Sequence, residues 1–486
     1  MKNISYPDIF IIVTDSARAY NSNSDDDREK PTYYDSLENF VYCTNAYTSA
    51  PSSVMSGAAM ISSLDSYMVS RNYDNFRFNN SFDINNIDTI TQFGYKTQGF
   101  FVARELREKI GKLVGLDNKN KLSSQNFYDR MWCNSDLNGV VDKYLNDNSK
   151  SEKPLFNLIW NNIRHDYKIS DHLKDLENII KKYNRWDDSI IFILSDHGYP
   201  AKDKGITPEG LKRDNKTHDL WMTEDNVRIP FYFKTPKDKS FKISKNVSTI
   251  DIFPTIFDLI GKKPKLKFSN GVSLSSNNNK RDEQLSGRFL RVDSRFIGQP
   301  MRKTAILYQN NKLVKNHDDN LISLFKLDKN DITFEEEIND KKLLTKMTKA
   351  YIRNEQNALR FQYSTQLNLA KNRYRRFVLG NFDKSLIEYL KFEKINYIGF
   401  NRLSGFEKFK LLFNRNACFI NVPRYNKTTL RFIRIVSKKF IYVNLVSDQE
   451  VIKWGFKRLY LAIKNTLPFV INEPKYLYVR IKEFVK

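Results

Sequence analysis

Five apolar runs limit what this chain can fold into more than anything else in it. "DIFIIVT" (8–14), "TQGFFVA" (97–103), "PLFNLIW" (154–160), "SIIFILS" (189–195) and "RIPFYFK" (228–234) are short, rich in β-branched and aromatic residues, and nearly free of polar alternation. A strand of that kind is buried on both faces, which happens inside a mainly parallel sheet covered by helices. Longer segments of helical spacing separate the runs, so the pattern predicts an α/β fold. Ligands of such sheets gather beyond the carboxyl ends of the strands. The first run delivers Asp15 to that edge, and the fourth delivers Asp196, His197 and Gly198. Two carboxylates and a neutral imidazole suit a divalent cation. The plainer alternative is that both aspartates cap the turns that follow them.

A second stretch stands apart from the apolar runs. "VYCTNAYTSAPSSVMSGAAMISSL", Val41 to Leu64, is too hydroxyl-rich for a good strand and too full of Ser for an ordinary helix. Small side chains let a backbone or a ligand approach closely. A hydroxyl at a helix start also sits among unpaired N–H groups at the positive end of the helix dipole. Both properties suit a nucleophile.

Composition bounds the number of such units. At 486 residues and 40% hydrophobic content the chain can fill two or three cores. Its net charge is +24, with 80 Lys+Arg against 56 Asp+Glu. Roughly 29 of those bases against roughly 9 acids fall after residue 344, so the charge belongs to the C-terminal part. Cys43, Cys133 and Cys418 are far apart and show no metal-ligand spacing, as expected of thiols in a reducing compartment. The apolar run near the N-terminus is too short for a membrane span and lacks a small-residue cleavage site. A cytoplasmic protein is expected.

The order of the motifs carries more than any one of them. An Asp after the first strand, a small hydroxyl-rich helix start some forty residues on, "SDHG" after a late strand, "HDLWMTEDNVRIPFYFKTP" and "STIDIFPTIFDLIGKK" together resemble the sulfatase group of the alkaline phosphatase superfamily. The resemblance runs from about residue 7 to about residue 340 and ends in "LFKLDKNDITFEEEIND". It implies an alkaline phosphatase-like sheet flanked by helices, with one divalent metal held by Asp15, Asp196 and His197. Mn or Zn is expected ahead of Ca. Arg18 matches a basic residue near the family's site, and His218 stands at the family's distance from the Ile-Pro of the next strand. His165 in "IRHDY" follows a strand where relatives carry a His before a tyrosine; its alternative is a core histidine.

Two registers compete for the nucleophile. One places it at Ser49; the other aligns without a gap on "APSSVMSGAAMISSL" and places it at Ser53, with Ser56 and Leu64 also matched. Ser53 is preferred as nucleophile and metal-touching hydroxyl, and Ser49 and Ser52 stay open. No Arg follows either serine, so conversion to formylglycine is not expected. Relatives with a plain Ser or Thr act mostly on phosphoesters through a covalent phospho-enzyme. Many relatives also carry a Lys one residue beyond His218; here Asp219 stands there, with Lys216 and Lys202 as substitutes to consider.

Beyond residue 340 the resemblance stops. The expected organisation is a catalytic domain over 1–343, a helical linker over 344–378 and a smaller basic α/β unit over 379–486. Its strands are read in "INYIGFN", "ACFINVP" and "FIYVNLV". A basic surface favours an anionic partner, such as an acidic membrane surface or a polyanionic glycan; nucleic acid ranks last because no binding signature accompanies the charge. The bland alternative is a solvated Lys-rich surface. Three functions are consistent with the residues: a metal-dependent sulfate or phosphate ester hydrolase, a transferase moving a phospho-alcohol group onto a surface glycan or lipid precursor, and an inactive binding module.

Overall fold

The structure is a computed structural model that describes residues 6–20, 30–66, 85–101, 134–162, 169–200, 218–236, 240–263, 269–276, 278–294, 301–319, 321–328 and 335–354, together with five strands between 376 and 453. It divides into two compact units, Met1–Arg353 and Asn354–Lys486.

A seven-stranded sheet organises the first unit. Its strands are β1 (Ile9–Asp15), β2 (Val41–Tyr47), β3 (Lys96–Phe101), β4 (Leu155–Asn162), β5 (Ile190–Ser195), β6 (Phe231–Lys234) and β7 (Lys242–Ser248), in the order β3-β4-β1-β5-β6-β2-β7. Each of the five apolar runs contributes a strand among the described residues. Neighbours pair in parallel except around β6, which runs antiparallel to both β5 and β2. The carboxyl ends of β1 and β5 therefore lie side by side, with Thr14 opposite Ser195.

Helices α1 (Ser53–Ser62), α2 (Asn86–Gln92), α3 (Asn134–Asp147), α4 (Ile169–Lys182), α5 (Glu224–Val227) and α6 (Ile252–Leu259) are distributed along the same unit. Phe10 and Ile12 of β1, with Ile191 and Ile193 of β5, pack with Leu137 and Val141 of α3 and Leu173, Leu176 and Ile180 of α4. The alternate residues of β1, Ile9, Ile11 and Val13, are equally buried on the other face, where Phe156 of β4 lies 6.0 Å from Phe253 of α6. Covering both faces turns the alternating pattern of a strand into a continuous apolar run.

The hydroxyl-rich stretch divides in two, and its first part corrects the expectation. Val41–Tyr47 is a strand: Val41, Cys43 and Asn45 are buried while Tyr42 and Thr44 stay half-exposed, and Ala46 and Tyr47 are buried as well. The second part is α1, in which every residue from Val54 to Ser62 is buried. With no charged side chain and five Ser, Gly or Ala residues after Ser53, the helix can be covered on all sides. The helix ends on Ser63 at φ 58°, whose N–H caps Met60, and Leu64 N–H bonds back to Ala59.

After the main sheet the chain forms a five-stranded antiparallel sheet of β8 (Leu290–Asp293), β9 (Lys303–Tyr308), β10 (Asn311–Asn316), β11 (Ile322–Leu327) and β12 (Glu335–Glu337). Val292, Ala305, Leu307, Val314 and Phe325 pack against Tyr47, Met222 and Val227 of the main body. On the opposite face, Ile306, Leu313 and Leu324 meet Met347, with Leu343, Leu344 and Tyr351 alongside. Helical turns over 341–354 thus belong to this core.

The second unit holds β13 (Arg376–Leu379), β14 (Tyr397–Gly399), β15 (Ala417–Asn421), β16 (Lys439–Tyr442) and β17 (Val451–Lys453) in the order β14-β13-β15-β16-β17. Its first three pairings are parallel and the last is antiparallel. Parallel neighbours need crossover connections, as expected of an α/β unit.

Candidate active site

The site is assembled at the carboxyl edge where β1 and β5 adjoin. Asp15 is the last residue of β1, and Asp196 and His197 follow β5 directly. Ser195 ties the two ends together: its Oγ donates within reach of Thr14 O at 2.5 Å and His197 O at 2.7 Å, and accepts from Ala17 N–H at 2.9 Å. Ser16 holds a left-handed φ of 64°, a conformation non-glycine residues rarely adopt, and its N–H donates to Asp196 Oδ1 at 3.0 Å. Strain of this sort is kept where surrounding structure fixes it, commonly at functional sites.

Asp15, Asp196 and His197 present one ligand atom each within 4.8 Å of one another. His197 Nδ1 lies 2.7 Å from Gly198 O, an acceptor only, so Nδ1 carries the proton. Nε2 then offers a lone pair, and it faces Asp196 Oδ2 at 3.5 Å and Asp15 Oδ1 at 3.8 Å. Asp196 Oδ2 is buried and accepts no hydrogen bond. Burial pushes the Asp196 carboxyl up to about 6, opposed by His197 and reinforced by the negative Asp15. An orphaned carboxylate oxygen facing an imidazole lone pair is the arrangement a cation satisfies, so the residues fit a divalent metal.

The first residue of α1 completes the group. Ser53 Oγ stands 3.1 Å from His197 Nε2 and 3.4 Å from Asp15 Oδ1. Ser56, one turn on, anchors the helix by donating to Asp196 O at 2.8 Å. Ser49 is elsewhere: its carbonyl accepts from Asp293 N–H at 3.1 Å and Ser66 Oγ at 3.0 Å, and its own hydroxyl is buried without a hydrogen bond. Ser52 is the residue before the helix and makes no side-chain cap.

His218 joins from a separate segment. Its ring stacks on His197 with centroids 4.8 Å apart and on Tyr199 at 5.5 Å. Asn226 Nδ2 holds that segment by donating to His218 O at 2.6 Å and Trp221 O at 2.7 Å. Arg18 is fully buried; its Nε donates to Tyr199 O at 2.7 Å and its Nη2 to Pro200 O at 3.3 Å, against the chain that follows His197. His165, Lys202 and Lys216 lie outside the described residues. Asn226 escaped the sequence reading although it lies within the quoted "HDLWMTEDNVRIP"; a buried Asn between two histidine-bearing segments has no local periodic signal.

The fold is shared with a solved protein of the alkaline phosphatase superfamily. Residues 140–262, the stretch that carries "SDHG" and "HDLWMTEDNVRIP", match the family model described as Sulfatase. No curated protein sequence matches the chain. Solved structures with this fold include an alkaline phosphatase superfamily protein from Vibrio parahaemolyticus, 17% identical over 75% of this chain and 88% of that one, with a TM-score of 0.52. A phosphonate monoester hydrolase of Agrobacterium radiobacter is 14% identical over 71% and 94%, with a TM-score of 0.53. The lipoteichoic acid synthase LtaP from Listeria monocytogenes is 16% identical over 73% and 93%, with a TM-score of 0.51. Among the described residues no helix is long and apolar enough to cross a membrane.

Proposed function

We propose that the chain is a metal-dependent enzyme that cleaves a phosphate or sulfate ester through Ser53, with phosphate favoured. The observation that supports this most is the placement of Ser53 Oγ, 3.1 Å from a His197 nitrogen whose lone pair is available and beside the carboxylate of Asp15. The sulfatase match and the fold shared with a phosphonate monoester hydrolase and LtaP give the reaction class its context.

Asp15, Asp196 and His197 would hold the cation, Mn or Zn ahead of Ca. When bound, a divalent cation eases deprotonation of a nearby hydroxyl and offsets charge developing on the ester. Ser53 Oγ gives up its proton to solvent water and attacks the phosphorus or sulfur in line. The ester P–O or S–O bond breaks, and the alkoxide leaves with a proton from His218 or His165. The N–H groups at the start of α1 face the transferred anionic group. Arg18 supports the segment behind His197 and adds positive charge nearby. An incoming hydroxyl, from water or an acceptor alcohol, then takes the group from Ser53 and restores its O–H.

The acceptor distinguishes hydrolase from transferase, and a phosphotransferase acting on a glycan or lipid precursor is the second proposal, favoured by the LtaP likeness. Retention of the whole constellation weighs against an inactive binding module. We further propose a cytoplasmic enzyme whose basic C-terminal unit attracts it to anionic membrane surfaces. Assays with p-nitrophenyl phosphate, bis-p-nitrophenyl phosphate and p-nitrophenyl sulfate, with and without glycerol as acceptor, test the chemistry. Turnover of none of them in the presence of Mn or Zn would sink it.

A further inference from the structure

One ammonium and two carboxylates are buried together where the small antiparallel sheet meets the main body. Lys312 Nζ, from β10, donates to Met222 O at 2.6 Å, Glu335 Oε1 at 2.9 Å and Glu224 Oε1 at 3.2 Å. Glu335, from β12, also accepts the Glu224 backbone N–H at 2.5 Å. Tyr47 O–H donates to Glu224 Oε2 at 3.1 Å. The Lys312, Glu224 and Glu335 side chains are 0%, 2% and 4% exposed, so water does not screen them.

Two buried carboxylates share one hydrogen-bonded ammonium, and the cost of burying both as anions favours one carboxyl keeping its proton. Burial, with Glu224 alongside, pushes the Glu335 carboxyl up to about 7 despite the pull of Lys312. Tyr47 is held well above its usual range by burial and by Glu224, so it remains a neutral donor, with Arg228 beside it as the other charged neighbour.

What these groups grip is the turn that carries the site. Glu224 opens α5, and within that helix Asn226 Nδ2 holds the carbonyls of His218 and Trp221. The carbonyls of Asn226 and Asp225 accept the N–H groups of Gly198 at 2.9 Å and Tyr199 at 3.0 Å, directly after His197.

We propose that Lys312, Glu335 and Glu224 are positioning residues that lock the 218–228 segment in register over His197, and that the lock is tight while Glu335 is protonated. Their effect on turnover rests on His218 acting in the proposed chemistry. Deprotonation of Glu335 leaves a desolvated carboxylate in the buried cluster, with Glu224 adding to its cost, and opening of α5 and the His218 segment relieves that cost.

Hydrogen–deuterium exchange of the full chain at pH 6 and pH 8, paired with p-nitrophenyl phosphate kinetics, tests this. Lys312→Met should speed exchange in 218–228 about tenfold or more while β1 and β5 stay protected, and lower kcat about tenfold with KM within about threefold. In the wild type the same segment should exchange faster at pH 8 than intrinsic base catalysis explains. Glu335→Gln, a neutral mimic of the protonated acid, should lack that excess and keep wild-type kcat at pH 6. Unchanged exchange of 218–228 in Lys312→Met, or wild-type pH dependence in Glu335→Gln, would overturn the lock. Exchange is read whether or not turnover occurs, so an inactive wild type would refute the ester chemistry alone.

Discussion

The imidazoles of His197 and His218 stack almost in parallel, with centroids 4.8 Å apart and planes inclined by 16°. His197 is engaged through Nδ1 with Gly198 O and through Nε2 with the Ser53 side. His218, stacked outside that pair, is the imidazole we propose for proton transfer to the leaving group.

Ser53→Ala should abolish turnover, by about a thousandfold or more, and leave no phosphorylated peptide when enzyme is quenched with substrate. Ser49→Ala and Ser52→Ala should cost far less, because an attacking oxygen must be in line with the leaving group and adjacent to the cation ligands. Mass spectrometry of the quenched enzyme decides: phosphate on Ser49 would show the other register to be correct, and formylglycine at either serine would restore sulfatase chemistry proper.

Asp196→Ala removes a proposed ligand that is buried yet positioned at a strand end. The wild type should gain about 3 kcal/mol of stability from Mn or Zn at a hundred times its dissociation constant, by mass action. The variant should gain little and retain the fold without metal. Equal metal content of the two proteins by elemental analysis would dismiss the ligand assignment.

Much of this architecture could be read from the chain alone, and the exceptions share a cause. Continuous apolar runs located all five strands, because burial on both faces is written locally. Strand direction is not, so the antiparallel setting of β6 between β5 and β2 had no local mark. Val41–Tyr47 was obscured by its hydroxyls and by the helix that follows it. Asp15, Asp196 and His197 stood out because they follow directly on two apolar runs, and the strand ends do bring them together. Lys312 and Glu224 are 88 positions apart, and nothing in either neighbourhood announces their contact.

His172 sets an acid limit on stability. Burial lowers its imidazole to about 4, against a weaker opposing effect of Asp175, and its Nε2 pairs with Asn161 Oδ1 at 2.8 Å. A folded value below the unfolded one near 6.5 means the unfolded chain binds the proton first. The contribution is therefore full above about pH 6.5 and lost as pH falls towards 4, by up to about 3 kcal/mol. His172→Gln should flatten the denaturant midpoint over that window relative to wild type. Identical pH profiles would count against it.

Between residues 354 and 486 roughly 26 Lys+Arg face roughly 9 Asp+Glu. The full chain should bind vesicles containing phosphatidylserine at low salt, with affinity falling steeply as the Debye length shrinks to about 10 Å at 0.1 M. Neutral vesicles should not bind. Salt-insensitive binding, or none at low salt, would remove the membrane proposal.

Gly198 is the residue on which the two histidine-bearing segments close. A Cβ there would stand 2.2 Å from Asp225 O and 3.1 Å from Asn226 Cα, both backbone atoms that cannot swing away. Gly198→Ala must push the segments apart, strain the Gly198–Asn226 and Tyr199–Asp225 hydrogen bonds, and move the carbonyl that fixes the His197 tautomer. A loss of about 1–3 kcal/mol is expected from overpacking, with turnover falling much further than the remaining folded fraction explains. Gly139→Ala is the matched control: it lies in α3 with nothing within 4 Å of the added methyl, and it should stabilise by about 0.5–1 kcal/mol without touching turnover. Thermal melts alongside kinetics separate the two. If Gly198→Ala kept wild-type turnover, close approach of these segments would not be what sets the histidines in place.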